Sequence, residues 1–175
     1  MLFRSSRRAV GDASFVQGSV ADAELVRRTV EEHGVDEVVH FAAYKAVGES
    51  MTDPGKYFSN NVAGSQALLG VLHSCGVGRV VFSSTAAVYG TPDRVPVRED
   101  DPVRCESVYA ETKSMVERTL GWYAATTAMR SVCLRYFNAA GASDDASLGE
   151  NWDFSENLVP HVMKAVLGRS AGLKV

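Results

Sequence analysis

A chain of 175 residues, 46% hydrophobic and 22% charged, has an ordinary soluble globular composition and enough length for one core. Its net charge of −3 gives no reason to expect nucleic acid or an anionic membrane as partner. No apolar run approaches the ~18 residues needed to span a bilayer. Three widely spaced cysteines (Cys75, Cys105, Cys133) indicate neither a disulfide framework nor a metal site, which suits a reducing cytoplasm. The basic start from Met1 to Arg8 is followed by no apolar leader core and reads as chain rather than signal.

In chain order, Ser14-Phe15-Val16-Gln17 is a short strand candidate. Asp22 to Glu32 reads as a helix with Leu25, Val26 and Val30 inward, closed by Gly34. The compact run Glu37-Val38-Val39-His40-Phe41 predicts a strand buried on both faces. Asp53 caps and Pro54 opens a helix that runs to about Cys75 and ends at Gly76. The strand Arg79 to Ser84 follows, then a polar loop with three prolines, a helix from Tyr109 to about Thr127, and a strand from Ser131 to Tyr136. A loop of small and acidic residues spans Asn138 to Ser155, and a last apolar-periodic stretch runs from Leu158 to Leu167. Strands alternating with helices predict an α/β fold with a parallel sheet and helices on both faces.

The stretch from Phe82 to Lys113 carries the chemistry. A strand ending in hydroxyls (Ser83-Ser84-Thr85) leads through the loop to Tyr109-Ala110-Glu111-Thr112-Lys113 at the head of a helix. Residues four apart on a helix share a face, so this spacing sets a cation beside a phenol. A unit charge about 4 Å away at an effective dielectric near 20 is worth roughly 4 kcal/mol. That is enough to lower a phenol pKa from about 10 toward neutrality and make it a general base for a hydroxyl. Thr85, at the carboxyl end of its strand, lies where open α/β sheets place their sites. Taken alone, a tyrosine and lysine at this spacing are more often a packed aromatic with a lysine stem beside it.

The set Phe82-Ser83-Ser84-Thr85-Ala86-Ala87-Val88-Tyr89-Gly90, Tyr109-x-x-x-Lys113 and Arg135-Tyr136-Phe137-Asn138 resembles the extended short-chain dehydrogenase/reductase family, within it the nucleotide-sugar 4-epimerases. The resemblance implies a doubly wound, Rossmann-like parallel sheet, NAD as cofactor, a UDP-hexose as substrate and a homodimer for full-length members. It covers nearly all of this chain, while the chain matches only about half of a family member. No strand, glycine-rich turn and helix for a pyrophosphate is present; Gly76-Val77-Gly78 follows a helix and precedes a strand, the wrong order for such a turn. The expectation is therefore a sheet lacking its first β-α-β unit, truncated at both ends. Residues 1–140 would form a partial dinucleotide-binding domain, and 141–175 the beginning of a smaller substrate domain.

Carried over residue by residue, the resemblance implies Tyr109 as base, Lys113 as the cation holding it ionised, and Thr85 as a bridge to the sugar oxygen. Tyr109 and Lys113 would also touch cofactor, as would Ser19, Val20, Phe41, Ala42, Ala43, Tyr44, Lys45, Asn60 and Phe137. Lys45, Thr85, Tyr109, Asn138 and Asn157 would face the substrate. The departures are local. Ser19 stands where the family usually has an acidic residue facing adenine, Thr85 where a serine is common, and Val108 and Ala110 where proline and glycine are usual. Nucleotide-sugar 4,6-dehydratases carry an Asp-Glu pair right after the threonine; Ala86-Ala87 here disfavour dehydration. Two other readings stay open: another extended short-chain nucleotide-sugar epimerase or reductase, and an inert remnant that binds little.

Overall fold

The computed structural model of the chain describes residues 10–151, 155 and 157–170. Three valine-rich or hydroxyl-ended segments form one parallel sheet in the order β1-β2-β3: β1 (Glu37–His40), β2 (Arg79–Thr85) and β3 (Arg130–Tyr136). Each parallel neighbour is reached by a helical crossover, as parallel pairing demands. The fold is an α/β parallel sheet, as the alternation of elements predicts, and Rossmann-like, as the family resemblance implies. Glu37, Arg79 and Arg130 share one row of the sheet, and Val39, Val81 and Val132 another.

The first helix, α1 (Ala23–His33), starts where the Asp22 carboxylate accepts the Leu25 N–H at 3.0 Å and stops at Gly34, whose φ of 59° suits a residue without Cβ. Removing that cap with Asp22→Ala is expected to cost about 1 kcal/mol, read as a lower urea midpoint at unchanged slope. Two short helices, α2 (Val47–Thr52) and α3 (Pro54–Tyr57), follow β1. Asp53 caps α3 by accepting from Lys56 N–H. The chain then continues through a π-helical segment (Phe58–Ala63) into α4 (Gly64–Ser74). The long α5 (Val108–Thr126) is capped by Ser107, whose hydroxyl accepts the Ala110 N–H at 3.2 Å.

The core lies between the helices and one face of the sheet. Leu68, Leu69 and Leu72 of α4 meet Val116 and Leu120 of α5 over Val80 and Phe82 of β2, with Val30 of α1 and the connecting Val77 and Met129 closing the cluster. Burying each of these large side chains contributes about 1.5–3 kcal/mol. Only this face is covered by the described residues. Val39 and Val132, on the opposite face, are each 56% exposed. The prediction that 37–41 is buried on both faces therefore fails: a strand is enclosed only where helices lie on both sides of its sheet.

Ser14 to Gln17, predicted as a strand, is irregular. A strand needs a neighbour for its N–H and C=O groups, and none of the described strands lies beside this segment. Between β2 and α5, a 3₁₀ turn (Ala86–Tyr89) opens the 91–107 loop. The loop is pinched at its base, where Arg104 N–H donates to the Val88 carbonyl at 2.9 Å. Gly90 takes φ 58°, and a Cβ there would stand 2.2 Å from the Arg104 carbonyl oxygen, so only glycine fits.

The described residues divide into two compact units: 16–137, which holds the sheet, and 10–15 together with 138–151, 155 and 157–170. In the second unit, Ala142 and Gly149 form an antiparallel bridge, and α6 (Leu158–Val166) follows. Among the described residues no helix is long and apolar enough to cross a membrane, and no group of His, Cys, Asp or Glu is arranged to hold a metal.

Candidate active site

Tyr109, Lys113 and Glu117 recur every four residues on α5, and all three engage the carboxyl half of β2. The Thr85 hydroxyl, which accepts the Ala87 N–H at 3.2 Å, lies close enough to the Tyr109 phenol to influence its titration. Lys113 Nζ donates to the Ser83 carbonyl at 2.7 Å, and the Glu117 carboxylate accepts from the Ser84 hydroxyl. Sequence spacing put the first two residues on one face; the structure adds that this face lies along the strand carrying Thr85.

The electrostatics differ from the simple expectation. Burial pushes the Tyr109 phenol up from its ordinary pKa, and the nearby Thr85 hydroxyl only partly opposes it. Lys113 does not lower it, because its ammonium is spent on Ser83, 4.8 Å over the Phe82 ring and 6.0 Å from the Tyr109 ring centre. At 3% exposure Lys113 is itself short of solvation, and burial brings its pKa from 10.5 down to about 8. Next to it, His40 is buried against Ser65 at 2.8 Å, with a pKa lowered to about 4 by burial and then by Lys113, so it is neutral near pH 7.

The lowered lysine has a stability consequence of definite sign. Below about pH 8 folded and unfolded chains both hold the proton, and the burial cost is felt in full. Between about 8 and 10.5 the unfolded chain binds more protons than the folded one, so stability rises with pH. Lys113→Met should therefore raise stability at pH 7 by about 1–2 kcal/mol, after the lost bond to Ser83 is discounted. Thermal melts at pH 7 and pH 10 check this: the gain should shrink at the higher pH.

A second cluster fixes the loop after β1 to the head of α5. Asn61, 2% exposed, accepts from Tyr44 N–H at 2.8 Å and donates both to the Tyr44 carbonyl at 3.0 Å and to Thr112 Oγ1 at 3.2 Å. Thr112 in turn donates to the Tyr109 carbonyl, and Tyr109 N–H donates to the buried Ser50 hydroxyl at 3.1 Å. Asn61 lies in the π-helical segment, where Gly64 N–H bonds the Ser59 carbonyl five residues back. Such single-turn π segments are frequent at functional sites. The Tyr44 ring is flanked by Lys56 Nζ at 4.4 Å, and the Tyr57 hydroxyl bonds the Ala46 carbonyl at 2.7 Å.

The remaining candidates fall in several places. Phe41, Ala42, Ala43, Tyr44 and Lys45 leave β1 at the carboxyl edge of the sheet, Phe41 and Lys45 exposed and Ala42 buried. Asn60 is half-buried and donates to Asn61 Oδ1 at 2.9 Å. Ser19 accepts from Ala21 N–H in the turn before α1, and Val20 packs by Gly64 at the start of α4. Phe137 stands exposed just past β3. Asn138 and Asn157 belong to the second unit; Asn157 precedes α6, and its side chain donates to Glu150 at 2.5 Å rather than capping the helix. Two grooves, of about 270 and 550 Å³, lie against the 91–104 loop and along β3, and neither is lined by Tyr109, Lys113 or Thr85.

Sequence reasoning missed Asn61, Ser50, Ser84 and Glu117, and quoted Arg135 without a role. Arg135 grips Glu117 with Nη2 at 2.7 Å and Nε at 3.0 Å, donates to the Tyr89 hydroxyl at 2.7 Å, and lies 4.8 Å over the Tyr89 ring. The Glu117 carboxylate holds the Arg135 pKa above its ordinary value. The continuing four-residue spacing after Lys113 was a usable signal for Glu117. Asn61 was hidden behind its neighbour Asn60, because helical periodicity does not foresee a π segment.

Comparison with known proteins places this geometry. The family model for the NAD dependent epimerase/dehydratase family matches residues 3–172. A UDP-glucose 4-epimerase of Lactobacillus helveticus is 40% identical over 167 residues, which is 95% of this chain and 51% of that protein. The crystal structure of UDP-glucose 4-epimerase from Brucella ovis in complex with NAD is similar with a TM-score of 0.91 at 40% identity, over 97% of this chain and 52% of that one. The enzyme from Bifidobacterium longum in complex with NAD+ and UDP gives 0.84 at 35% identity, over 94% and 50%. The chain thus spans about half the length of the relatives it matches. By these matches the chain belongs to the NAD dependent epimerase/dehydratase family.

Proposed function

We propose that this chain carries the proton-transfer part of a UDP-glucose 4-epimerase, which interconverts UDP-galactose and UDP-glucose through a transient 4-keto sugar. The observation behind this reading is the meeting of Tyr109, Thr85 and Lys113 at the carboxyl end of β2, in a chain whose similar proteins are UDP-glucose 4-epimerases.

The residues present fit one side of an NAD site. Phe41 to Lys45 leave β1 with small side chains at Ala42 and Ala43, and Asn61 ties them to the helix that carries Tyr109 and Lys113. A hydride acceptor must sit beside the group that takes the hydroxyl proton, and this is the wall such a ring would meet. No glycine-rich phosphate turn stands among these residues, so they do not seat the pyrophosphate. When bound, NAD supplies the hydride acceptor and a positively charged ring.

Tyr109 exchanges the proton of the sugar O4 hydroxyl, and Thr85 donates to the same oxygen. Because burial keeps the phenol protonated in this state, base action requires added positive charge close to its oxygen. Lys113, anchored on Ser83, holds the head of α5 in place. Once the keto sugar has turned over, so that hydride would return to the opposite face of C4, Tyr109 gives the proton back to O4. Ala86 and Ala87 offer no acid–base pair to eliminate water, which favours epimerisation over dehydration.

The test is a chimaera in which residues 16–137 replace the matched stretch of the Lactobacillus helveticus relative. Interconversion of UDP-galactose and UDP-glucose by that protein supports the reading, and its absence in a folded, NAD-binding chimaera overturns it. The 175-residue chain assayed by itself is expected to turn over weakly or not at all.

A further inference from the structure

Thr85 sits between two residues that are fastened to the same guanidinium. Before it, the buried Ser84 donates its hydroxyl to Glu117 of α5. After it, the chain turns through Ala86–Tyr89, with Thr85 capping the turn and the buried Tyr89 at its far end. Arg135 of β3, the register partner of Ser84, reaches both sides. Its Nε and Nη2 hold the Glu117 carboxylate at 3.0 and 2.7 Å. Its Nη1 donates to the Tyr89 hydroxyl at 2.7 Å and to the Glu99 carbonyl at 3.3 Å. A planar fork serves two partners at once in this way, which a lysine ammonium, a single point of charge, does not. Stability alone does not call for such a cluster, since an apolar pair of similar volume often serves a buried position as well. What an apolar pair lacks is a hydrogen bond on each side of Thr85.

We propose that Arg135, through Glu117 and Tyr89, positions Thr85: the clamp sets where the threonine hydroxyl stands relative to the Tyr109 phenol, and so how the two meet one sugar oxygen. The proposal rests on the epimerase reading above and adds to it three positioning residues that act through Thr85. The leverage is short. Ser84 adjoins Thr85 directly, and Tyr89 closes the single turn that Thr85 opens. Lys113, on the Ser83 carbonyl, fixes the strand one residue further back and leaves the turn to Arg135. A misplacement of about 1 Å at a reacting centre can cost as much as 10²-fold in rate, so losing one side of the clamp is expected to be felt in turnover before it is felt in binding.

Tyr89→Phe in the chimaera tests this, because it removes one hydroxyl and leaves the ring and the Glu117–Arg135 ion pair in place. The expected result is kcat about tenfold lower, with KM and melting temperature nearly unchanged. Arg135→Lys, which keeps the charge without the fork, should lose a similar factor. In a Thr85→Val background neither substitution should cost anything further, because the group being positioned is gone. A merely structural role predicts otherwise: rate losses that follow the melting temperature and are the same with or without the Thr85 hydroxyl. That outcome, or an unchanged kcat in both variants of an active chimaera, overturns the proposal and leaves the epimerase reading standing. A folded, NAD-binding chimaera without activity overturns that reading, and the proposal with it.

Discussion

Tyr109→Phe in the chimaera is expected to lower kcat for UDP-galactose by about 10²–10⁴-fold, the usual weight of a positioned acid–base group, with KM nearly unchanged. Phenylalanine keeps the ring, the first turn of α5 and the backbone bonds from Tyr109 to Ser50 and Thr112, and removes only the phenol oxygen. A substitution this conservative isolates proton transfer from folding. Equal melting temperatures with a collapsed rate would support the assignment. An unchanged rate would remove Tyr109 from the chemistry and leave the Lys113–Ser83 bond as scaffolding.

Much of this was readable from the sequence, for physical reasons that can be named. The caps at Asp22 and Asp53 and the glycine at 34 are local effects, and the helices start and stop where they require. Tyr109 and Lys113 share a face because helix geometry alone dictates it. What the sequence concealed depends on tertiary context. The phenol's raised pKa follows from its burial, and where Lys113 points depends on a carbonyl thirty residues away on β2. Val39 and Phe41 look like core in a compact apolar run, yet their exposure depends on what covers the second face of the sheet. The residues 14–17 have strand-like composition but pair with no strand among the described residues.

Glu117→Ala is expected to destabilise the fold by about 2–4 kcal/mol, among the largest effects of any polar replacement here. The Glu117 and Arg135 side chains are 12% and 23% exposed, so removing the acid leaves a poorly hydrated guanidinium between β2, β3 and α5. It also strands the Ser84 hydroxyl. Replacing both members, Glu117→Leu with Arg135→Met, should recover part of the loss because no orphan charge remains. Urea denaturation of the two single variants and the double variant reads the coupling directly. Simple additivity would mean that the pair adds little beyond its separate contacts.

The pinched base of the 91–107 loop has an architectural consequence. Val88 clasps Arg104, Gly90 lets the two backbones touch, and Thr91 reaches Glu106 at 3.0 Å, so the entrance and exit of the loop are fastened together before α5 begins. A collar of this kind insulates what lies below it from what lies above. Residues can be added to or cut from the tip at a cost that grows only with the logarithm of loop length, while the span from Thr85 to Tyr109 stays as it is.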